Sequence, residues 1–374
     1  MSILKKVLIP VGTVLALTAL VVHVEAESYF KKSWGLFSTY GVDAPKAWSS
    51  MKRDCSKSQV VVAVIDTGVD PNHAALKDTL WKNPKGAADE LGGWDFARNS
   101  GKIVDTHGHG THIAGIIAGN EVAGPMGNGF KGVCPGVKIM SLRYYDERAS
   151  GAENLKNTIK AINYAVDNGA TIINYSGGGA EFSGDEYRAL KRARDKGILV
   201  VAAAGNERSN ADKALYYPAA YSLDNIISVA AIDSTGSLIS ASNWGIEKVH
   251  VAAPGHSILS ALPGGGFGYM SGTSQATAFV SGIASLVMTE NPALAYRDVK
   301  RVIEESALRQ PTLVGKTKTS GRANALAALE KSRETRRLSA TAKATTALKG
   351  AKTRRNPSQV RKGSTRSSVK PASK

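Results

Sequence analysis

Five short apolar runs punctuate the chain: Gln59–Asp66 (QVVVAVID), Val137–Arg143, Thr171–Ser176, Ile198–Ala204 and Ile226–Ile232. Each is hydrophobic almost throughout rather than at alternate positions. Such runs suit strands covered on both faces, because both sides of the pleat then meet apolar neighbours. Helical patterns, Asn154–Asn168 (NLKNTIKAINYAVDN) and Asp185–Lys196, lie between them. Strands alternating with helices predict an α/β fold: a doubly wound, mainly parallel sheet with helices on both faces. Ile258–Met270 reads as a hairpin turning at Pro263-Gly264-Gly265-Gly266. Further helices are predicted over 273–290 and 294–307, separated by Asn291-Pro292, with a last amphipathic one over 322–337.

The two ends depart from this pattern. Near the amino terminus, Lys5 and Lys6 precede an apolar stretch, Val7–Val22, and then Val24-Glu25-Ala26. This reads as a secretory signal peptide cleaved after Ala26. A retained anchor is the alternative, although the stretch is short for a span and Pro10 interrupts it. The mature protein is therefore expected to be secreted, extracellular or periplasmic. Toward the carboxyl terminus, residues 331–374 hold fourteen Lys/Arg against one acid, Glu334, and so carry +13 of the chain's net +17. Residues 1–330 keep only +4, so the overall basicity says little about what the body binds. The tail has almost no large apolar residues and is predicted to be disordered. The reading divides the chain into a signal peptide (1–26), one folded domain (27–330, with 27–40 as a short lead-in) and a basic tail (331–374). A hydrophobic content of 43% in 374 residues excludes a wholly disordered chain. Two cysteines, Cys55 and Cys134, exclude a disulfide-dense scaffold and a four-cysteine zinc site. Outside the cytoplasm they could be bonded; two buried free thiols are the other reading.

In parallel sheets, ligands collect beyond the carboxyl ends of strands. Asp66, Asn174, Ser176 and Gly205-Asn206 all stand at such ends. Three chemistries could use residues of this kind. His107-Gly108-His109-Gly110-Thr111-His112 has three imidazoles in six residues, but Thr111 stands where a binuclear metal site of the His-x-His-x-Asp-His kind needs an acidic ligand. Asp66-Thr67-Gly68 could serve an aspartic protease, which needs a second such carboxylate, and no second copy occurs. Gly272-Thr273-Ser274-Gln275-Ala276 places a serine where a glycine-rich hairpin meets an apolar helix. There its own N–H is free to meet a developing oxyanion. A serine nucleophile needs an imidazole base held by an acid, and Asp66, one of the histidines and Ser274 occur in a workable order.

Taken together, four blocks decide among these. Val62-Ala63-Val64-Ile65-Asp66-Thr67-Gly68, His109-Gly110-Thr111-His112-Ile113-Ala114-Gly115, Ala203-Ala204-Gly205-Asn206-Glu207 and Gly272-Thr273-Ser274-Gln275-Ala276-Thr277 resemble the signature segments of the subtilisin-like serine proteases, the subtilases. Supporting matches are Val251-Ala252-Ala253-Pro254-Gly255 and Ser242-Asn243-Trp244-Gly245. The similarity runs from about Trp34 to Leu329. It implies a serine endopeptidase acting through an acyl-enzyme, with Ser274 as nucleophile, His109 as general base and then acid, and Asp66 as the orienting carboxylate. It implies Asn206 as side-chain donor to the oxyanion, together with the Ser274 N–H. Ser176-Gly177-Gly178 and Ala203-Ala204-Gly205 match the two walls of the pocket for the residue before the scissile bond. Ser150 and Gly151 match the edge against which an extended peptide substrate adds as a strand. His112 is expected to be a packed structural histidine.

Several residues depart from the family pattern. Gln275 follows the nucleophile where Met is usual, and Ala278 stands where Pro is favoured. Gly177 replaces a common Leu, which is expected to open one pocket wall. Residues 27–40 lead almost directly into the domain, leaving no long inhibitory propeptide. No cofactor is required for the chemistry. The family often binds structural calcium, but Asn120–Lys131 (NEVAGPMGNGFK) does not follow the familiar calcium loop, so no metal ligand is assigned. A monomer is expected, acting on protein or peptide substrates. The tail could add non-specific contact with a polyanion or an anionic surface, and a binding protein built around that tail is the alternative functional class.

Overall fold

A computed structural model describes residues 33–86, 92–122 and 130–336. The expected signal peptide, part of the lead-in, most of the segment compared with a calcium loop, and residues 337–374 lie outside the described residues. The apolar runs become β1 (Val61–Asp66), β3 (Lys138–Arg143), β4 (Ile172–Tyr175), β5 (Leu199–Ala203) and β6 (Ile226–Ile232), joined by β2 (Gly93–Asp95) and β7 (Val251–Pro254). These pair in parallel throughout. Two short strands, β10 (Leu308–Arg309) and β11 (Gly321–Arg322), extend one edge, with β10 antiparallel. The order is β10-β11-β7-β6-β5-β4-β1-β3-β2. The predicted doubly wound sheet is therefore present. Sequence reading missed β2, β7 and the two edge strands because two to four residues carry no readable period.

The residues of β1 show why the run is continuous. Val62 and Val64 belong to the core on one face, and Ala63 and Ile65 to the core on the other. On the first face lie helices α1 (His109–Ala118) and α4 (Thr273–Glu290); on the second lie α2 (Gly151–Asp167) and α3 (Gly184–Asp195). The predicted hairpin is β8 (Ile258–Leu262) with β9 (Gly266–Met270), and α5 is Tyr296–Glu305. Because β3 pairs on one side of β1 and β4 on the other, the winding reverses at β1. The carboxyl end of β1 is thus the switch point where a crevice forms, and Asp66 is the last residue of that strand.

Helix α4 is buried at every one of its 18 residues. Its small positions let it come close to its neighbours: a Cβ at Gly282 would lie 2.5 Å from Val133 Cβ. The next residue, Cys134, is bonded to Cys55, with Cα atoms 5.7 Å apart, so the reading as free thiols is not the one found. Within the core, Ser281 Oγ donates to Asn174 Oδ1 at 2.8 Å, and Asn174 Nδ2 donates to Ser176 Oγ at 2.9 Å. This buried polar chain ties the helix to the end of β4.

The boundary expected after Glu330 falls inside a helix spanning 325–336. Arg333 donates to Ser50 O at 2.6 Å and to Glu290 Oε1 at 3.1 Å, and the buried Ser332 accepts at its carbonyl from Asn291 Nδ2 at 3.3 Å. These bonds make residues 331–333 part of the body rather than the start of a tail. Leu286, with no exposed surface, gives a measure of the packing of α4. Leu286→Ala should lower unfolding stability by about 2–5 kcal/mol in denaturant titrations; a change below about 1 kcal/mol would mean that this layer repacks.

Candidate active site

Asp66 leaves β1 with its carboxylate facing the start of α1. Its Oδ1 accepts from the Thr67 N–H at 2.8 Å and lies 2.7 Å from His109 Nδ1. The latter contact makes Nδ1 the protonated nitrogen, because a carboxylate can only accept. Nε2 is then left with its lone pair. The approach of the two segments requires glycine at two places. A Cβ on Gly110 would collide with Gly68 O, and one on Gly68, whose φ is +109°, would collide with Val104 O. Any larger residue would push α1 away from β1 and separate His109 from Asp66.

A second carboxylate, which sequence reading missed, fixes the start of α1. Asp105 is buried and accepts from the N–H groups of His107, Gly108 and Thr111 and from the hydroxyls of Thr67 and Thr111, at 2.6–3.0 Å. It satisfies N–H groups at the helix entrance and places negative charge at the positive end of the helix. The signal available in the sequence was an acid four residues before the histidine, too common a spacing to single out. Burial acts to lower the affinity of His109 for a proton, but Asp66 and then Asp105 more than offset it. The net displacement is above the ordinary imidazole value of 6.5.

The three histidines do not converge on one point, although the His107 and His109 rings lie edge-on with centroids 6.3 Å apart. His107 is exposed, with its ring edge-on to Tyr145. His112 is fully buried, its Nε2–H shared between Ile258 O at 2.9 Å and Gly268 O at 3.2 Å, so it pins the β8–β9 hairpin to α1. Burial drives its pKa down to about 4, and it stays neutral as a structural group. No cluster of three or more His, Cys, Asp or Glu suited to a metal occurs among the described residues.

Ser274 is the second residue of α4, and Gly272 its N-cap. The N–H groups of this first turn have no acceptor within the helix. Ser274 Oγ donates to Ser176 O at 3.0 Å, and no hydrogen bond to His109 is present among the described residues. Nucleophilic use of the hydroxyl needs a rotation from the carbonyl to the imidazole, a tightening common when substrate arrives. Asn206 stands on the loop after β5. Its Oδ1 accepts from Thr273 N at 3.0 Å and from Thr273 Oγ1 at 3.3 Å. The backbone donor fixes the amide's orientation and leaves its NH₂ free to donate beside the helix N-terminus.

This loop is shaped by Asn243, buried and drawn from a block noted only as a supporting match. Its side chain accepts from Glu207 N at 3.0 Å and Ser209 N at 2.9 Å, and donates to Ala204 O at 2.9 Å and Glu207 Oε2 at 2.6 Å. Ala203 ends β5, and Ala204 and Gly205 continue from it as one expected pocket wall; Ser176-Gly177-Gly178 continues from β4 as the other. The expectation that Gly177 opens its wall is corrected by the structure. A Cβ there would overlap the Tyr144 hydroxyl, so an aromatic side chain from another segment takes the space. Ser150 and Gly151 also differ from a strand edge. Ser150 is the N-cap of α2, accepting from Glu153 N at 3.2 Å, and Gly151 is the first residue of that helix. The extended backbone ends at Ser150, because the helix takes up the Gly151 carbonyl. Gln275 is buried with neither amide atom hydrogen-bonded.

Comparison with known proteins gives the family of the chain. The subtilase family model of serine peptidases matches residues 57–346. Thermitase of Thermoactinomyces vulgaris is 35% identical over 266 residues, 71% of this chain and 86% of that protein. Subtilisin DY of Bacillus licheniformis is 32% identical over 269 residues, 72% of this chain and 90% of that protein. Among solved structures, that of a cold-adapted subtilisin-like serine proteinase superposes with a TM-score of 0.60 at 29% identity, covering 74% of this chain and 89% of that one. The chain belongs to the subtilase family. It is a serine-type endopeptidase with a subtilisin-like fold.

The Asn243 bonds make a specific forecast. Asn243→Ala leaves several loop N–H and C=O groups without partners and should destabilise the protein by about 1–3 kcal/mol. It should also lower kcat on a peptide substrate more than it raises KM, since it loosens the loop bearing Asn206. Unchanged stability and kcat would show that the loop holds its shape without it.

Proposed function

We propose that this chain is a secreted endopeptidase in which Asp66, His109 and Ser274 form the triad and Asn206 completes the oxyanion site. The observation carrying this reading is the 2.7 Å contact of His109 Nδ1 with Asp66, which leaves Nε2 as the base. A peptide lies in the cleft beyond the strand ends. Nε2 takes the proton of Ser274 Oγ as that oxygen attacks the carbonyl carbon. The tetrahedral oxyanion is met by the Asn206 amide and the N–H of Ser274. The protonated imidazole, stabilised by Asp66, then gives its proton to the leaving amine. Water repeats the sequence to release the acyl group. Protein and peptide substrates enter extended, with Ser176–Gly178 and Ala203–Gly205 flanking the residue before the scissile bond. No residue is assigned to a metal or cofactor.

Secretion is supported by the pattern of residues 1–26 and by the Cys55–Cys134 bond, which suits an oxidising compartment. Its test is amino-terminal sequencing of the protein recovered outside the cytoplasm, expected to begin at Glu27. The basic segment is proposed as an appendage that contacts polyanions. Truncation after Arg336 should leave kcat/KM on a neutral peptide within a few-fold and weaken retention on heparin. Unchanged retention would remove the tail from any binding role.

The triad has sharper tests. Ser274→Ala should reduce kcat by about 10⁶-fold, the loss seen when subtilisin's nucleophile is removed, with the fold intact by circular dichroism. Asn206→Ala should cost about 10²–10³-fold in kcat. Because the base must be neutral and its affinity for protons is raised above 6.5, the acid limb of kcat/KM should have its midpoint above that value. Asp66→Asn should lower any residual midpoint. Full activity of Ser274→Ala, freed of contaminating protease, would dismiss the serine mechanism.

A further inference from the structure

This chain's own Tyr216 stands between the two segments proposed to flank the side chain before the scissile bond. The ring lies against both walls at once. A Cβ added at Gly178 would stand 2.6 Å from Tyr216 Cε1, and one added at Gly205 would stand 2.9 Å from Tyr216 Cγ. The two glycines belong to the separate segments that leave β4 and β5 side by side, so one aromatic ring bridges the gap between them. We infer that Tyr216 is the specificity-determining residue of this peptidase, filling the pocket and restricting the residue before the cleaved bond to small side chains such as glycine and alanine. This rests on the serine-peptidase reading above and on the assignment of the two segments as pocket walls.

Several features hold the ring in place. Tyr217, the next residue, exchanges both backbone hydrogen bonds with Gly179, N–H to O at 2.8 Å and O from N–H at 2.9 Å. Tyr216 O accepts from Ala220 N at 2.8 Å. The backbone is thus anchored at the Tyr216 carbonyl and at the following residue, one anchor being the residue next to the wall. Beyond Gly205, the Glu207 carboxylate is held by Asn243 Nδ2 at 2.6 Å, which limits retreat in that direction. On the remaining side, Tyr144 occupies the space next to Gly177. A phenol ring displaces about the volume of a large substrate side chain, and protein interiors do not absorb such an overlap without a shift of neighbouring atoms. A methyl group or hydrogen at that position of the substrate needs no such shift.

The test uses the full mature protein and two chromogenic peptides, Ala-Ala-Pro-Ala and Ala-Ala-Pro-Phe anilides, with the concentration of active enzyme titrated by methanesulfonyl fluoride at Ser274. The wild type should favour the alanine peptide over the phenylalanine peptide by about 10-fold or more in kcat/KM. Tyr216→Gly should move that ratio toward phenylalanine by at least about 10²-fold, the scale on which pocket complementarity discriminates side chains. Tyr216→Phe, which keeps the ring, should retain the wild-type order of preference. A titratable wild type that cleaves after phenylalanine as well as after alanine overturns the inference while leaving the peptidase reading intact, and it does so even if Tyr216→Gly fails to fold. An enzyme that neither titrates at Ser274 nor cleaves either peptide instead overturns the peptidase reading itself.

Discussion

The placing of Ser274 depends on the burial of α4. A helix wholly enclosed cannot slide or roll without opening cavities, and its first turn is therefore held where the sheet face and the Cys134 segment put it. Ser274 sits in that turn. Its position relative to β4 is further set by the Ser281–Asn174–Ser176 chain of hydrogen bonds, which runs from the helix interior to the strand end. A hydroxyl pair and an amide buried in an apolar layer are costly unless satisfied; satisfied, they fix one register of helix on sheet.

The other half of the site is fixed by negative charge at a helix entrance. Asp66 and Asp105 converge on the first turn of α1 and share the Thr67–Gly110 connection: Thr67 Oγ1 donates to Asp105 and accepts from Gly110 N at 2.9 Å. Asp105 engages backbone donors and leaves Asp66 to the imidazole. The division of labour between the carboxylates explains why a histidine so enclosed still gains protons more readily than in water. Complete enclosure without a carboxylate contact leaves His112 neutral down to about 4. Two imidazoles three residues apart on one helix thus acquire opposite tendencies from their surroundings alone.

The two segments proposed to flank the substrate are met by side chains that arrive from outside the strand ends. Tyr144 comes from the segment after β3 and Tyr216 from the segment before β6. Each takes up room beside a glycine of the walls. Glycines in walls of this kind are usually read as making space, yet here three of them, Gly177, Gly178 and Gly205, stand beside the protein's own aromatic rings.

Much of the fold was legible in the residues. A parallel sheet buried on both faces leaves continuous apolar runs, and the five that were read became strands with ends displaced by two residues or fewer. The residues expected to carry the chemistry were legible as blocks, because helix caps, tight glycine contacts and a strand-end acid impose short local patterns. Asp105 and Asn243 were not, since their importance lies in satisfying backbone groups that only the folded chain brings near them. Gly177 shows the same limit from the other side: its sequence implies empty space, and Tyr144, distant in the chain, fills it. The order of the strands, the reversal of winding at β1 and the placing of Tyr144 and Tyr216 beside Gly177, Gly178 and Gly205 were settled by packing between segments far apart in sequence. Local periodicity specifies what a segment can become; which segments share a volume is decided only when the whole core closes.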